Sequence, residues 1–256
     1  VTLNDDAQLA TRLVTEAVGL AAAMRSAGLQ VSSKTSISDV VTDADHAAEK
    51  LIVDTLAVER PDDGLLGEEG AAAEGTSGRR WVIDPVDGTY NFSVGSDYWC
   101  SALALVDADG PILGAVAHHA SGSVVVGGPN LPTTRNGEPV APRDDVELAT
   151  LSVATYLHPR GIDTPQVSGP FLRAARLPAT LRMLGSGSMD LVGVATGRVG
   201  AWFQHSTPDW DWYPGAAILA GAGLATDRIE VDGLRWSVAG PPTAVATLAG
   251  ALRGDA

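Results

Sequence analysis

A chain of 256 residues with 45% hydrophobic content is long enough to bury a substantial core, as one large domain or two smaller ones. Its 31 acidic against 17 basic residues leave a net charge of -14, which offers a phosphate backbone little to bind and argues against nucleic acid as a main partner. Cys100 is the only cysteine, so an intrachain disulfide and a cysteine-rich zinc site are both excluded, and its apolar surroundings in VGSDYWCSALALV suit an inert core thiol.

Residues 5–27 read as an amphipathic helix, with Leu9, Leu13, Ala17, Leu20 and Met24 near helical spacing. The opening stretch VTLNDDAQLATRLV is acidic where a secretory signal would be basic, and no apolar run reaches the roughly 20 residues that span a bilayer. A soluble cytoplasmic protein is therefore expected. A second helix is predicted over 44–58, ending before Pro61. A strand at 80–83 should lead into a turn at Asp84. Residues 100–106 and 112–117 should form an antiparallel hairpin across DADG, because so short a turn cannot carry a parallel crossover. The turn-rich stretch 127–145 is taken as the boundary between an N-terminal α+β part (1–140) and a C-terminal α/β part (141–256), with a surface excursion at the sheet edge as the other reading. Strands are expected at 148–154 and 202–204, and helices at 169–176, 188–195, 212–221 and 243–252.

Four short segments place acids where structure should turn over: VVTDADHAAEK, LLGEEG, IDPVDGT and PDWDWYPG. Each admits a plain structural role; Asp43 could cap the second helix, Glu68 and Glu69 could sit on a solvent loop, and Asp84 and Asp87 could make an Asx-turn. IDPVDGT is the hardest to read that way. Pro85 fixes a dihedral directly after Asp84 and Gly88 frees the chain after Asp87, so a tight corner can converge two carboxylates and the Val86 carbonyl. Hard cations such as Mg²⁺ take such oxygen donors and leave other positions to water and phosphate, whereas zinc would ask for histidine or thiolate in a ligand spacing that the five histidines lack. A helix starting at Gly88-Thr89 would add free amides suited to phosphate.

Lys34 with DVVTDAD, GEE (67–69), WVIDPVDGTYNF, GSGSMDLVGVATGR and WDWYPGAA, in that order, resemble the inositol monophosphatase family of magnesium-dependent, lithium-sensitive phosphatases. The resemblance implies an α/β layered sandwich of alternating α-β-α-β-α layers. It implies two or three Mg²⁺ ions: one held by Glu68, Asp84 and the Val86 carbonyl, one by Asp84, Asp87 and Asp211, and a loose third by Glu68 and waters. It also implies that Asp45 and Thr89, with Glu68, activate the attacking water, while Gly88 and Thr89 amides take phosphate oxygens. Gly185, Ser186 and Gly187 would face the substrate. Glu69, Lys34 and Trp210 would support the site, with a solvated lysine an equal reading of Lys34. Asp190 is read as a helix cap or a contact between the two parts. The implied substrate is a small phosphorylated compound, inositol monophosphate first and histidinol phosphate as alternative; a non-catalytic RNA-associated regulator is the reading from another class. Two positions depart from the family pattern. Gln204 stands where inositol-directed members carry a glutamate, keeping an acceptor but losing the charge, and Tyr90 follows DGT in place of a small or basic residue. A homodimer is the assembly implied.

Overall fold

The computed structural model describes residues 1–28, 31–36 and 39–255, and side chains outside 29–41. Helix α1, Leu3–Ala27, starts at a capping box: the Thr2 hydroxyl accepts from the Asp5 amide, and the Asp5 carboxylate accepts from the Thr2 amide at 2.8 Å. Its stripe of Leu9, Leu13, Val14, Ala17 and Ala21 is buried. Strands β1 (Val31–Ser36) and β2 (Asp39–Thr42) pair antiparallel and lead into α2, Asp43–Glu59. Thr42, not Asp43, caps α2, because Asp45 stands three residues on and closes a second capping box onto the Thr42 amide.

The first sheet has eight strands: β3 (Gly64–Gly67), β4 (Ala72–Ala73), β5 (Arg80–Asp87), β6 (Cys100–Asp107), β7 (Gly110–His118), β8 (Ser123–Gly128), β9 (Leu131–Arg135) and β10 (Glu138–Pro139). Their spatial order is β10-β9-β8-β7-β6-β5-β3-β4, with β3 and β5 the one parallel pair. The hairpin across DADG is antiparallel as expected. Two expectations change here. The strand at β5 does not turn at Asp84 but runs to Asp87, and the stretch 127–145 contains β9 and β10 instead of turns alone.

Helix α3 (Thr89–Ser93) follows β5. The second sheet, in order β12-β11-β13-β15-β14, is built from β11 (Ser152–Thr155), β12 (Thr180–Arg182), β13 (Ala201–His205), β14 (Ala225–Val231) and β15 (Leu234–Gly240). Residues 148–150 form a short 3₁₀ turn before β11, so the strand expected from 148 starts later. Four helices accompany this sheet: α4 (Pro165–Ala175), α5 (Gly187–Ala195), α6 (Asp209–Gly221) and α7 (Pro242–Arg253). Leu13, Ile52, Ile83 and Leu103 belong to a core between the α1/α2 layer and the first sheet. Ala102, Val116, Leu191, Ile218 and Trp202 form a second core around α5 and α6, between the two sheets. Val153, Phe171, Phe203 and Leu248 close a third under α4 and α7. The result is the expected α-β-α-β-α sandwich.

Candidate active site

The site begins at the end of β5. Residues three apart on a regular strand face opposite sides of a sheet. Between Asp84, opposite Ala102, and Asp87, opposite Cys100, the register slips by one residue, and both carboxylates reach the same cleft. Pro85 explains the slip, since it has no amide to give the ladder, and its carbonyl is taken by the Ser101 hydroxyl at 2.6 Å. Gly88 then adopts φ +92°, a left-handed conformation that admits glycine readily, and α3 starts at Thr89. The Thr89 hydroxyl donates to the Val86 carbonyl at 2.9 Å.

The C-terminal elements complete the cleft. Asp211 lies in the first turn of α6, Gln204 comes from β13, and Ser186 caps α5. Asp87 reaches across to α5 and accepts from the Gly187 amide at 3.2 Å and from the Ser188 amide at 2.5 Å. Asn91 holds the loop before α5, its amide nitrogen donating to the Leu184 carbonyl at 2.7 Å and the Tyr98 carbonyl at 2.9 Å. Gly67 of the GEE stretch is required by packing, because a Cβ there would lie 2.2 Å from the Glu49 carboxylate, which accepts from the amides of Glu69 and Ala71 and so shapes this loop.

Burial, then the charges of Glu68, Asp87 and Asp211, raise the pKa of Asp84 well above the ordinary carboxylate range. Burial raises Asp211 likewise, helped by Asp87 and Glu68. Asp87 is also raised by burial, although the Ser188 and Gly187 amides oppose this. Asp84 Oδ1 is buried without a hydrogen-bond partner. The charges of Glu68 and Asp87 act on both Asp84 and Asp211, so the four acids lie close together at the end of the cleft. Among the described residues no three acids, histidines or cysteines are spread as a preformed ligand cage. The donor set and the orphaned Asp84 oxygen nonetheless suit a hard cation, which would relieve the mutual repulsion of these acids.

The cleft holds about 610 Å³ and is lined by Glu68, Asp84, Val86, Asp87, Gly88, Thr89, Gln204 and Asp211, together with the loop Gly185, Ser186 and Gly187. Asp45 does not line it. Its carboxylate is buried at the start of α2, where burial raises its pKa to about 6 against the opposing bonds of Thr42; Oδ1 has no partner. The Glu69 side chain is buried 3.9 Å from His46, outside the cleft lining. Trp210 packs with Leu66 and Tyr213 on Val82, Ala104 and Val106, and Lys34 lies outside the described side chains. Cys100 is fully buried, 3.8 Å from the Ser186 hydroxyl, with its pKa pushed up by burial. Sequence reasoning passed over Asn91, Tyr156, His158 and Met183 in the lining. It also left open that Asp190 faces the cleft, accepting from the Tyr98 hydroxyl at 2.7 Å, with its pKa raised by burial to about 8.

Residues 3–250 match the profile of the inositol monophosphatase family. The chain belongs to this family. An inositol-1-monophosphatase of Mycobacterium bovis is 32% identical over 236 residues, covering 87% of this chain and 81% of the relative. A Nus factor SuhB of Xylella fastidiosa is 30% identical over 205 residues, covering 79% and 74%. The crystal structure of the suppressor protein SuhB of Bartonella henselae superposes with a TM-score of 0.82 at 25% identity, covering 98% of both chains. As a member of the inositol monophosphatase family, a metal-dependent family, the protein is a phosphoric monoester hydrolase. Among the described residues no helix is long and apolar enough to cross a membrane.

Proposed function

We propose that the protein hydrolyses a small phosphomonoester with Mg²⁺, by direct attack of water and without a phosphoenzyme, and that inositol monophosphate is among its substrates. The observation that carries this reading is the meeting of Glu68, Asp84, Asp87 and Asp211 in one cleft, with an Asp84 oxygen left unpartnered. Those four carboxylates and the Val86 carbonyl would hold two or three ions. Bound there, Mg²⁺ supplies neutralising charge and lowers the pKa of water. The chain's own part is positional. The Thr89 hydroxyl, backed by the Asp45 carboxylate from behind the lining, activates water, the Gly88 and Thr89 amides receive phosphate oxygens, and the Gly185–Gly187 loop borders the alcohol. Glu69 and Trp210 act as supports beside this machinery, as does Lys34, and the working unit is a homodimer of cytoplasmic location.

Phosphate release from inositol 1-phosphate and histidinol phosphate tests the reading. Turnover should vanish on chelation, return with Mg²⁺, and fall at least about a hundredfold in kcat/KM in Asp84→Asn. Near-wild-type activity of exhaustively chelated Asp84→Asn would remove the metal role. The relative named as a Nus factor supports a regulatory reading instead. Tight RNA binding with no phosphomonoester hydrolysed under Mg²⁺ would favour it. Sedimentation as a monomer only would refute the dimer.

A further inference from the structure

Under the hydrolase reading, on which this inference rests, the acids and the Gly88-Thr89 turn take the phosphate end of the cleft. The alcohol end has different chemistry. Among the described residues nine large apolar side chains are exposed, and three of them, Tyr90 (48%), Tyr156 (37%) and Met183 (50%), line this one cleft. They come from three separate segments: α3, the turn after β11 and the turn after β12. His158, also in the lining, sits edge-on to Tyr156 with ring centroids 6.4 Å apart and widens the aromatic wall. Apolar side chains gathered from three segments around one cleft mark a surface that a ligand covers.

Two of the polar groups in the lining are already engaged within the protein. Asp190 Oδ1 accepts from Tyr98, and the Asn91 amide nitrogen is held by two carbonyls. Gln204 brings one neutral amide. A polyol presents hydroxyls on all sides, and each one it buries without a partner weakens binding. A flat unsaturated ring needs far fewer partners and gains from aromatic faces and a thioether.

We propose that the preferred substrate is a phosphomonoester whose alcohol carries a flat unsaturated ring, seated against Tyr90, Tyr156 and Met183, and that polyol phosphates are poorer substrates. The chemistry balances as an ordinary hydrolysis. Water oxygen bonds to phosphorus, the bond from phosphorus to the alcohol oxygen breaks, and the proton lost by water ends on the departing alcohol. Inorganic phosphate and the ring-bearing alcohol are the products.

The test compares 2-phenylethyl phosphate, glycerol 3-phosphate and inositol 1-phosphate under Mg²⁺. All three are alkyl esters, so leaving-group reactivity differs little and the kcat/KM ratio reports recognition of the alcohol. The ring ester should lead by about tenfold or more, the scale of one well-seated aromatic contact. Tyr156→Ala and Met183→Ala should shrink that lead mainly through a raised KM for the ring ester. Equal or faster turnover of either polyol ester, or a ratio unmoved by both variants, overturns the proposal and leaves the hydrolase reading intact. Hydrolysis of none of the three under Mg²⁺ overturns both.

Discussion

Helix α6 carries Asp211, and its closeness to the first sheet rests on Gly114 in β7. A Cβ built at Gly114 would stand 2.1 Å from the Pro214 carbonyl oxygen and 3.0 Å from the Pro214 Cα, both backbone atoms of α6. An ordinary carbon-oxygen contact needs about 1 Å more than that, and a backbone cannot swing aside as a flexible side chain does. Gly114→Ala should therefore lift α6, at an overpacking cost of about 1–3 kcal/mol and a fall in Tm of roughly 2–12 °C. Asp211 moves with the helix, and a displacement near 1 Å at a reacting centre lowers turnover by about a hundredfold. Gly19 in α1 is the control, since a Cβ there meets nothing within 4 Å, and Gly19→Ala should gain about 0.5–1 kcal/mol with activity unchanged. Thermal unfolding and phosphate release on both variants read the two effects. A Gly114→Ala protein with wild-type Tm and wild-type kcat/KM would refute the idea that this contact sets the position of Asp211.

Three further outcomes follow from individual side chains. Thr89→Ala should keep most of its Mg²⁺ affinity while turnover drops, so metal titration and rate on one preparation separate orienting from holding. Asp190 binds its proton more tightly folded, with a pKa of about 8, than unfolded at 3.8, so its contribution to stability falls as pH rises through that window. Asp190→Asn should therefore gain stability over wild type between pH 4 and 8, with a ceiling of roughly 6 kcal/mol, and a pH-independent difference in Tm would count against the buried acid as the cause. Asp6 is buried at 1% exposure, bonded to Arg60 at 2.6 Å and Arg79 at 2.7 Å, and Asp6→Ala should lose about 3 kcal/mol by leaving Arg60 without a carboxylate, while Arg79 keeps Asp63 at 2.7 Å. A chemical-denaturation midpoint within error of wild type would show that solvent takes over that role.

Local chemistry explains what was legible from residues alone. IDPVDGT carries its own geometry in Pro85 and Gly88, and α1 and α2 announce themselves by apolar spacing. The spacing of Asp45 after Thr42 fits a capping box and a catalytic acid equally, and only the fold shows the box occupied. Strand β14 was hidden because this edge strand exposes Thr226, Asp227 and Glu230, which dilutes any alternation. Strand β15 does alternate at Leu234, Trp236 and Val238, and the sequence reading passed over it as well. The glycines and prolines around β9 read as turns, although Leu131, Thr134 and Arg135 pair with β8 near the sheet margin. The contact of Tyr98 with Asp190 spans 92 residues and leaves no local trace. The aromatic wall is of the same kind, since Tyr90, Tyr156 and Met183 meet only when both sheets are stacked.

Asp87 is the last residue of a strand in the first sheet, yet its carboxylate receives the opening amides of α5, a helix that packs between the sheets. Glu68 and Asp84 precede the chain's crossing to the second sheet, and Asp211 follows it. Neither half therefore owns a finished set of acids. Under the proposed reading catalysis is a property of the seam, and rate would gauge how firmly the layers are docked. A backbone nick near Arg143, between the two sheets, would make two fragments that are each silent, with phosphate release as the signal of their reunion.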